Sequence, residues 1–215
     1  MPNSTLAENV ADALRHAIFA GEYLSGERLL ELALAHELRV SQSTVRDALR
    51  ILERDRLVVK RPRLGVYVCT FTPAAADEVY TLWAAVEGVA LEQAAGRLPA
   101  AALASLRATL AEARGAADGP ARAFSDAVFA AHQGMARAGG GPLTLALLST
   151  LHNQARLLEI VRQMRAPRDP RQQAARLNAC AAMLDALAGG DAAAARAALN
   201  AALAADRAEL VKLLA

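Results

Sequence analysis

Residues 39–68 read RVSQSTVRDALRILERDRLVVKRPRLGVYV, and this stretch leaves the chain few ways to fold. Ser41 is a favourable helix N-cap, and after it Val45, Leu49 and Leu52 recur at helical spacing while Gln42, Ser43, Arg46 and Arg50 fall off that stripe. The helix is expected to run to Asp55. Leu57 to Lys60 and Val66 to Thr70 are β-branched runs separated by Pro62 and Gly65, which predicts a two-stranded hairpin. Upstream, Leu30, Leu34 and Leu38 share one face of a short helix over 30–38. Leu6, Val10, Ala13, Leu14, Ala17 and Ile18 stripe a first helix over 5–20, which Gly21 ends. Two short helices joined by a tight turn and followed by a hairpin make a winged helix-turn-helix.

The charge is concentrated in the same place. From Arg39 to Arg63 there are eight basic and three acidic residues, a local balance of +5 against +2 for the whole chain. In a helix-turn-helix the second helix enters the major groove, and its first turns must offer short polar side chains and Arg to base edges and phosphates. Ser41, Gln42, Ser43, Thr44 and Arg46 supply that face, with Arg50 one turn on. Gln42 suits a paired contact with adenine, and Arg46 or Arg50 a contact with guanine or phosphate. Lys60, Arg61 and Arg63 in the hairpin would follow the backbone or enter the minor groove. The alternative is that SQST is only a helix cap beneath a solvated basic face, although the local pattern favours DNA binding.

From Pro73 onward strands disappear and alanine dominates. Six helices are expected, over 73–97, 99–114, 120–138, 142–165, 170–188 and 191–214. The breaks between them are Leu98-Pro99, Asp118-Gly119-Pro120, Gly139-Gly140-Gly141-Pro142, Ala166-Pro167 and Gly189-Gly190-Asp191. The fold class is therefore mainly α, with a winged unit over 1–71 and an all-helical bundle over 72–215. Cys69 and Cys180 have neither disulfide-framework nor zinc-finger spacing, which fits a reducing cytoplasm. No basic leader precedes an apolar run, and no eighteen-residue apolar stretch is free of charge, so neither export nor a membrane span is expected. Nothing in the chain resembles a phosphate loop, a nucleophile elbow or a metal-hydrolase helix. The Gly139 run follows no strand and brings no lysine, so no enzyme is expected.

The stretch GERLLELALAHELRVSQSTVRDALRILERDRLVVKRPRLGVYV resembles the pattern G-x-x-L-x-E-x-x-L-A-x-x-L-x-V-S-x-x-x-V-R-x-A-L-x-x-L-x-x-x-G-L-V of the GntR transcriptional regulators. With its helical remainder, the chain resembles their FadR-like group, whose C-terminal ligand domain is called FCD. Ser41, Val45, Arg46, Ala48, Leu49, Leu52, Leu57, Val58 and Gly65 fall on the pattern, while Arg56 takes a position usually held by glycine. The resemblance implies DNA contacts at Ser41, Gln42, Ser43, Thr44 and Arg46, and at Arg63 and Gly65 in the wing tip. Gln42 stands where the family commonly has Arg, and Leu32 where some members have a DNA-contacting Arg. A homodimer on a double-stranded, two-fold symmetric operator is implied as well.

For the bundle, the resemblance implies a metal held by an Asp, a His one turn later and two further His, positioning a small carboxylate effector. Here DAVFA, Asp126 to Ala130, lacks the histidine; a shifted register supplies His132 but puts Val128 at the Asp. The two later positions are Cys180 and Ala202. No metal and no other cofactor is expected. The expected effector pocket consists of Trp83, Asp126, His132, Arg156 and Cys180, with His152 and Asn153 nearby and Arg156 pairing the carboxylate. Cys180 among alanines is read as a small buried side chain rather than a redox switch, and His16 and His36 are assigned no chemistry. The functional expectation is an effector-responsive DNA-binding regulator, repressor or activator. The alternative is a DNA-binding dimer whose bundle is purely structural.

Overall fold

The computed structural model describes residues 4–115 and 121–215. Helix α1 (Leu6–Phe19) starts on a capping box: Thr5 Oγ1 accepts from the Glu8 N–H, and the Glu8 carboxylate accepts the Thr5 N–H at 2.7 Å. It buries Val10, Ala11, Leu14 and Ile18. Leu6 and Ala13, on the expected stripe, stay exposed because α1 is covered mainly by one neighbour, the third helix. Strand β1 (Arg28–Leu29) was not expected; two residues are too short to show a period of two. It makes the sheet three-stranded rather than a simple hairpin.

Helix α2 (Glu31–Glu37) is shorter than the apolar spacing predicts. Only Leu34 is buried; Leu30 caps the helix and is 53% exposed, while Leu38 ends it. Helix α3 (Gln42–Arg54) begins at Ser41, whose Oγ accepts from the Thr44 N–H at 3.1 Å. Its apolar face, Val45, Ala48, Leu49 and Leu52, closes the core beneath β2 (Val58–Arg61) and β3 (Gly65–Val68). The sheet order is β1-β3-β2, antiparallel throughout, with Arg61 opposite Gly65 at the wing tip. Arg56, at the glycine-like position after α3, has a φ of 60°, a left-handed conformation that strains a residue with a Cβ.

The six remaining helices are α4 (Pro73–Ala94), α5 (Ala100–Gly115), α6 (Ala121–Gly139), α7 (Pro142–Arg165), α8 (Pro170–Ala188) and α9 (Ala192–Leu214). They follow the expected segments to within a few residues, because prolines and side-chain caps at Thr72, Asp169 and Asp191 fix several of the starts. The predicted break at Asp118-Gly119-Pro120 lies outside the described residues. Helix α4 packs against α6, α7 and α9 and is buried on most sides, so it shows little amphipathic period. The end of α6 crosses α4 closely enough that a Cβ on Gly139 would lie 2.1 Å from the Ala90 carbonyl oxygen.

Two apolar clusters result, one under the wing and one in the bundle. Helix α7 serves both: Leu151 and Leu158 belong to the bundle, whereas Leu157, 3% exposed, belongs to the N-terminal cluster. No described helix is long and apolar enough to cross a membrane.

Two substitutions with opposite signs test this backbone description by urea unfolding. Arg56→Gly relieves the left-handed strain and is expected to raise stability by up to about 1 kcal/mol. Gly139→Ala forces α6 away from α4 and is expected to lower it by roughly 1–3 kcal/mol.

Candidate functional site

The first turn of α3 is built so that polar groups face outward and are already organised. Ser41 Oγ lies 2.8 Å from Ser43 Oγ and 2.7 Å from Thr44 Oγ1, a cluster of three hydroxyls at a helix N-terminus. Gln42 Nε2 donates to Glu31 Oε2 at 3.0 Å, and Arg46 Nε donates to the same oxygen at 2.7 Å. Glu31 therefore fixes two side chains that the sequence singled out, although its own part was not foreseen. The one available signal was its place as the acidic residue of the G-x-x-L-x-E pattern. Arg46 keeps half its side chain exposed, and Arg50 projects further out with Asp47 beside it at 2.9 Å.

The wing presents a second basic edge. The Leu64 N–H donates to the Arg61 carbonyl at 3.1 Å, closing a turn with Pro62 and Arg63 at its centre. Arg63 has a φ of 63°, as the second central residue of a type II turn requires, so its side chain stands out from the tip. Gly65 has a φ of 113°, a conformation a residue with a Cβ adopts only with strain, and a Cβ there would also press on the Arg28 side chain at 3.0 Å. Arg61 stacks over Tyr67, 4.6 Å from the ring centroid, and Lys60 is anchored through its backbone N–H to Glu53 Oε1. A shallow groove between α3 and the wing is lined by Glu31, Arg46, Arg50, Glu53 and Lys60. Its rims are cationic and its floor carries two carboxylates. Of the ten expected contact residues, Arg46, Arg50 and Lys60 line this groove, Ser41, Gln42, Ser43 and Thr44 lie at the start of α3, and Arg61, Arg63 and Gly65 lie at the wing tip. Leu32 is 72% exposed.

The expected effector residues do not come together as one pocket. Asp126 and Arg156 pair with each other where the bundle meets α1, and the Arg156 guanidinium sits over Phe19 of α1, 4.4 Å from its ring centroid. Asn153 Nδ2 points there too, toward the Asp55 carbonyl at 3.5 Å. Spacing placed both residues on α7 but could not say which face met the bundle interior. Trp83, His132 and Cys180 are in that interior, 1%, 3% and 1% exposed.

Their companion is Glu87, which has no exposed surface. Its carboxylate accepts from Trp83 Nε1, from His132 Nδ1 at 2.8 Å and from His152 Nε2 at 3.4 Å. A carboxylate only accepts, so each histidine carries a proton on the nitrogen that faces it. Burial pushes the Glu87 carboxyl up, but the His132 charge and the hydrogen bonds from both histidines outweigh this and hold it at about 2. Burial pushes His132 down, and Glu87 with the Cys180 sulfur 3.7 Å from its Nε2 reverses this, leaving it well above its ordinary value. Sequence reading missed Glu87. The signal was a glutamate in a helix whose apolar residues lie on all sides.

This arrangement does not fit a metal. Both ring nitrogens of His132 already face Glu87 and Cys180, Val128 and Ala202 offer no donor, and Asp126 is turned to Arg156. Among the described residues, no three His, Cys, Asp or Glu side chains converge as cation ligands. A second buried network lies beside it. Glu159 accepts from Ser125, Arg162, Gln163 and Arg176, and Arg176 also meets Asp206 at 3.0 Å. Burial alone would raise both carboxyls; Glu159, with the larger donor set, is brought down to about 2, while Asp206 stays raised.

The sequence model of the family described as bacterial regulatory proteins, gntR family, matches residues 6–68, and that of the FCD domain matches residues 78–205. Over 79 residues the chain is 37% identical to the HTH-type transcriptional regulator YdhC of Bacillus subtilis (strain 168), a stretch covering 37% of this chain and 35% of that protein. Over 83 residues it is 32% identical to an HTH-type transcriptional regulator in the TAR-I ttuE-ttuC' intergenic region of Agrobacterium vitis, covering 39% and 48%. The matches thus span less than half the length of either curated relative. A GntR transcriptional regulator from Rhodococcus sp. RHA1 has a similar structure, with a TM-score of 0.82 at 27% identity over 96% of this chain and 97% of that one. The E. coli protein McbR/YncC shares the fold, with a TM-score of 0.86 at 20% identity over 98% and 99%.

The Glu87–His132 pair makes stability depend on pH in a defined window. Glu87 is more acidic folded than unfolded, so its contribution is present above about 4.5 and fades as pH falls toward 2. His132 is more basic folded than unfolded, so its contribution is full below about 6.5 and is lost as pH rises through the raised value. Urea unfolding at several pH values should show stability declining above pH 6.5, and Glu87→Gln should flatten that decline. An equally steep decline in Glu87→Gln would place its origin elsewhere.

Proposed function

This chain belongs to the gntR family of bacterial regulatory proteins and carries an FCD domain, and on that premise we propose that it is a DNA-binding transcriptional regulator. It reads a two-fold symmetric operator as a homodimer in the cytoplasm, and its helical part responds to a small carboxylate-bearing molecule. The working division is a DNA-binding unit over 1–71 and a sensing and dimerising unit over 72–215. The family is one of transcriptional regulators and not of enzymes.

The observation that carries this reading is the outward face of α3, where Ser41, Gln42, Ser43, Thr44 and Arg46 stand free of the core beside an arginine-bearing wing. The Ser41 hydroxyl cluster and the helix N-terminus suit a phosphate, which sets the register of the protein on the duplex. Gln42 and Arg46, aligned by Glu31, then meet base edges with little rotamer entropy left to lose. Arg61 and Arg63 extend the contact along the backbone or into the minor groove. One such helix reads only a few base pairs, so a two-fold partner supplies the second half-site. An effector changes operator affinity by binding the DNA-competent and incompetent dimers unequally. Helix α7 is placed to transmit this, since it carries His152 inside the bundle and Arg156 and Leu157 against the winged unit.

The filled interior around Glu87 favours a second reading, in which the bundle only dimerises and senses nothing. Selection of bound DNA from a random pool at about 150 mM salt tests the DNA-binding reading, because weak nonspecific attraction is largely screened there. A two-fold symmetric motif is expected; a pool with no enriched motif counts against it. Against the selected site, Arg46→Ala should weaken binding by about 1–3 kcal/mol, whereas Arg61→Ala should weaken binding to any duplex and reduce its salt slope by about one. Unchanged operator affinity in Arg46→Ala would remove the recognition role from α3.

A further inference from the structure

Glu31 lies in the first turn of α2, outside the apolar core, and both side chains it holds belong to the outward face of α3. A single oxygen, Oε2, accepts from Gln42 Nε2 at 3.0 Å and from Arg46 Nε at 2.7 Å. Half of the Arg46 side chain is in solvent, and an ion pair so placed contributes little to stability while it immobilises long side chains. What it leaves free is more specific. A carboxylate only accepts, so the Gln42 amide nitrogen faces Glu31, and the carbonyl oxygen Oε1 and the second N–H remain. One acceptor beside one donor is the pattern that pairs with N6 and N7 of adenine. Arg46 commits Nε to Glu31, and neither Nη1 nor Nη2 has a protein partner among the described residues. Two parallel donors match O6 and N7 of guanine.

Gln42 and Arg46 are four residues apart on α3, about 6 Å along its axis, against ~3.4 Å for each base-pair step. The two bases therefore lie about two steps apart. Glu31 also acts on the choice between base and phosphate. The Glu31–Arg46 pair carries no net charge, so Arg46 adds little to the attraction of the phosphate backbone, which is left to Lys60, Arg61 and Arg63. We propose that Glu31 is the positioning residue that sets which bases this protein reads. It turns Gln42 toward an adenine and Arg46 toward a guanine about two steps away, and it withholds Arg46 from the phosphates. This rests on α3 being the helix that enters the major groove; it names two bases read there and makes both readings depend on one carboxylate.

The test takes the full chain through selection from a random DNA pool, then measures competition by duplexes that differ from the selected site at one base pair. Each half-site should hold an adenine and a guanine about two steps apart, and replacing either should weaken binding about tenfold or more. Glu31→Asp keeps the charge and suits a first helical turn, but its carboxylate is one methylene shorter and does not reach both α3 side chains. It should lose both base preferences together while binding a duplex without the motif as the unaltered chain does. Gln42→Ala should lose the adenine preference and keep the guanine one, since Arg46 is still held. Glu31→Ala, with the charge gone, should bind any duplex more tightly and steepen the salt dependence by about one. A motif without the adenine–guanine pair, or a Glu31→Asp protein that keeps both preferences, overturns the proposal and leaves the DNA-binding regulator standing. Loss of motif-free binding as well in Glu31→Asp also overturns it, by making Glu31 a support of the winged unit. Selection that enriches no motif sinks the regulator and this role together.

Discussion

A carboxylate with no exposed surface stands at the centre of the bundle, and the helices around it are arranged to satisfy it. An isolated charge there would be prohibitive, so Glu87 of α4 must be met by donors from elsewhere in the chain. Trp83 comes from its own helix, His132 from α6 and His152 from α7, and Cys180 of α8 closes the far side of His132. Four helices are thereby held in relative register by groups that function only together. Removing one partner strands the others, which makes such a centre more a specifier of one packing than a source of net stability.

The same helices carry the link to the winged unit. A succession of flat groups runs outward from the Glu87 centre: Trp83 stacks on Phe129 at 5.6 Å, Phe129 lies 5.5 Å from the Arg156 guanidinium, and Arg156 covers Phe19 at 4.4 Å. Arg156 is fixed from the side by Asp126. A small rotation of α7 moves His152 and Arg156 together, since they lie one turn apart on a single rigid element. The contacts run without a break from the bundle interior to α1.

Much of this was legible in the sequence. Proline, glycine and side-chain caps marked most helix boundaries, and Ser41 with the Pro62–Gly65 turn marked α3 and the wing. What was illegible depended on direction rather than type. Arg156 reads as a pocket cation or a surface charge with equal ease, and only the packing of α7 on two cores turns it toward Phe19. Strand β1 was too short to carry a pattern, and Glu31 reads as an ordinary first-turn acid until Gln42 and Arg46 are seen to share its oxygen. Glu87 stood in plain view in an all-round apolar helix, where the absence of an amphipathic period was itself the sign of burial.

Leu157 has a consequence for how freely the two halves can be exchanged. The core under the wing is completed by a side chain that arrives from α7, more than eighty residues beyond the last strand. A winged unit cut out and grafted onto another bundle would carry a hole where that leucine sat, and a foreign helix would have to present a side chain of the same volume at the same height. The halves look like interchangeable modules in the sequence, yet the seam between them is a packed interior, and diversification by shuffling would have to preserve that one residue's shape.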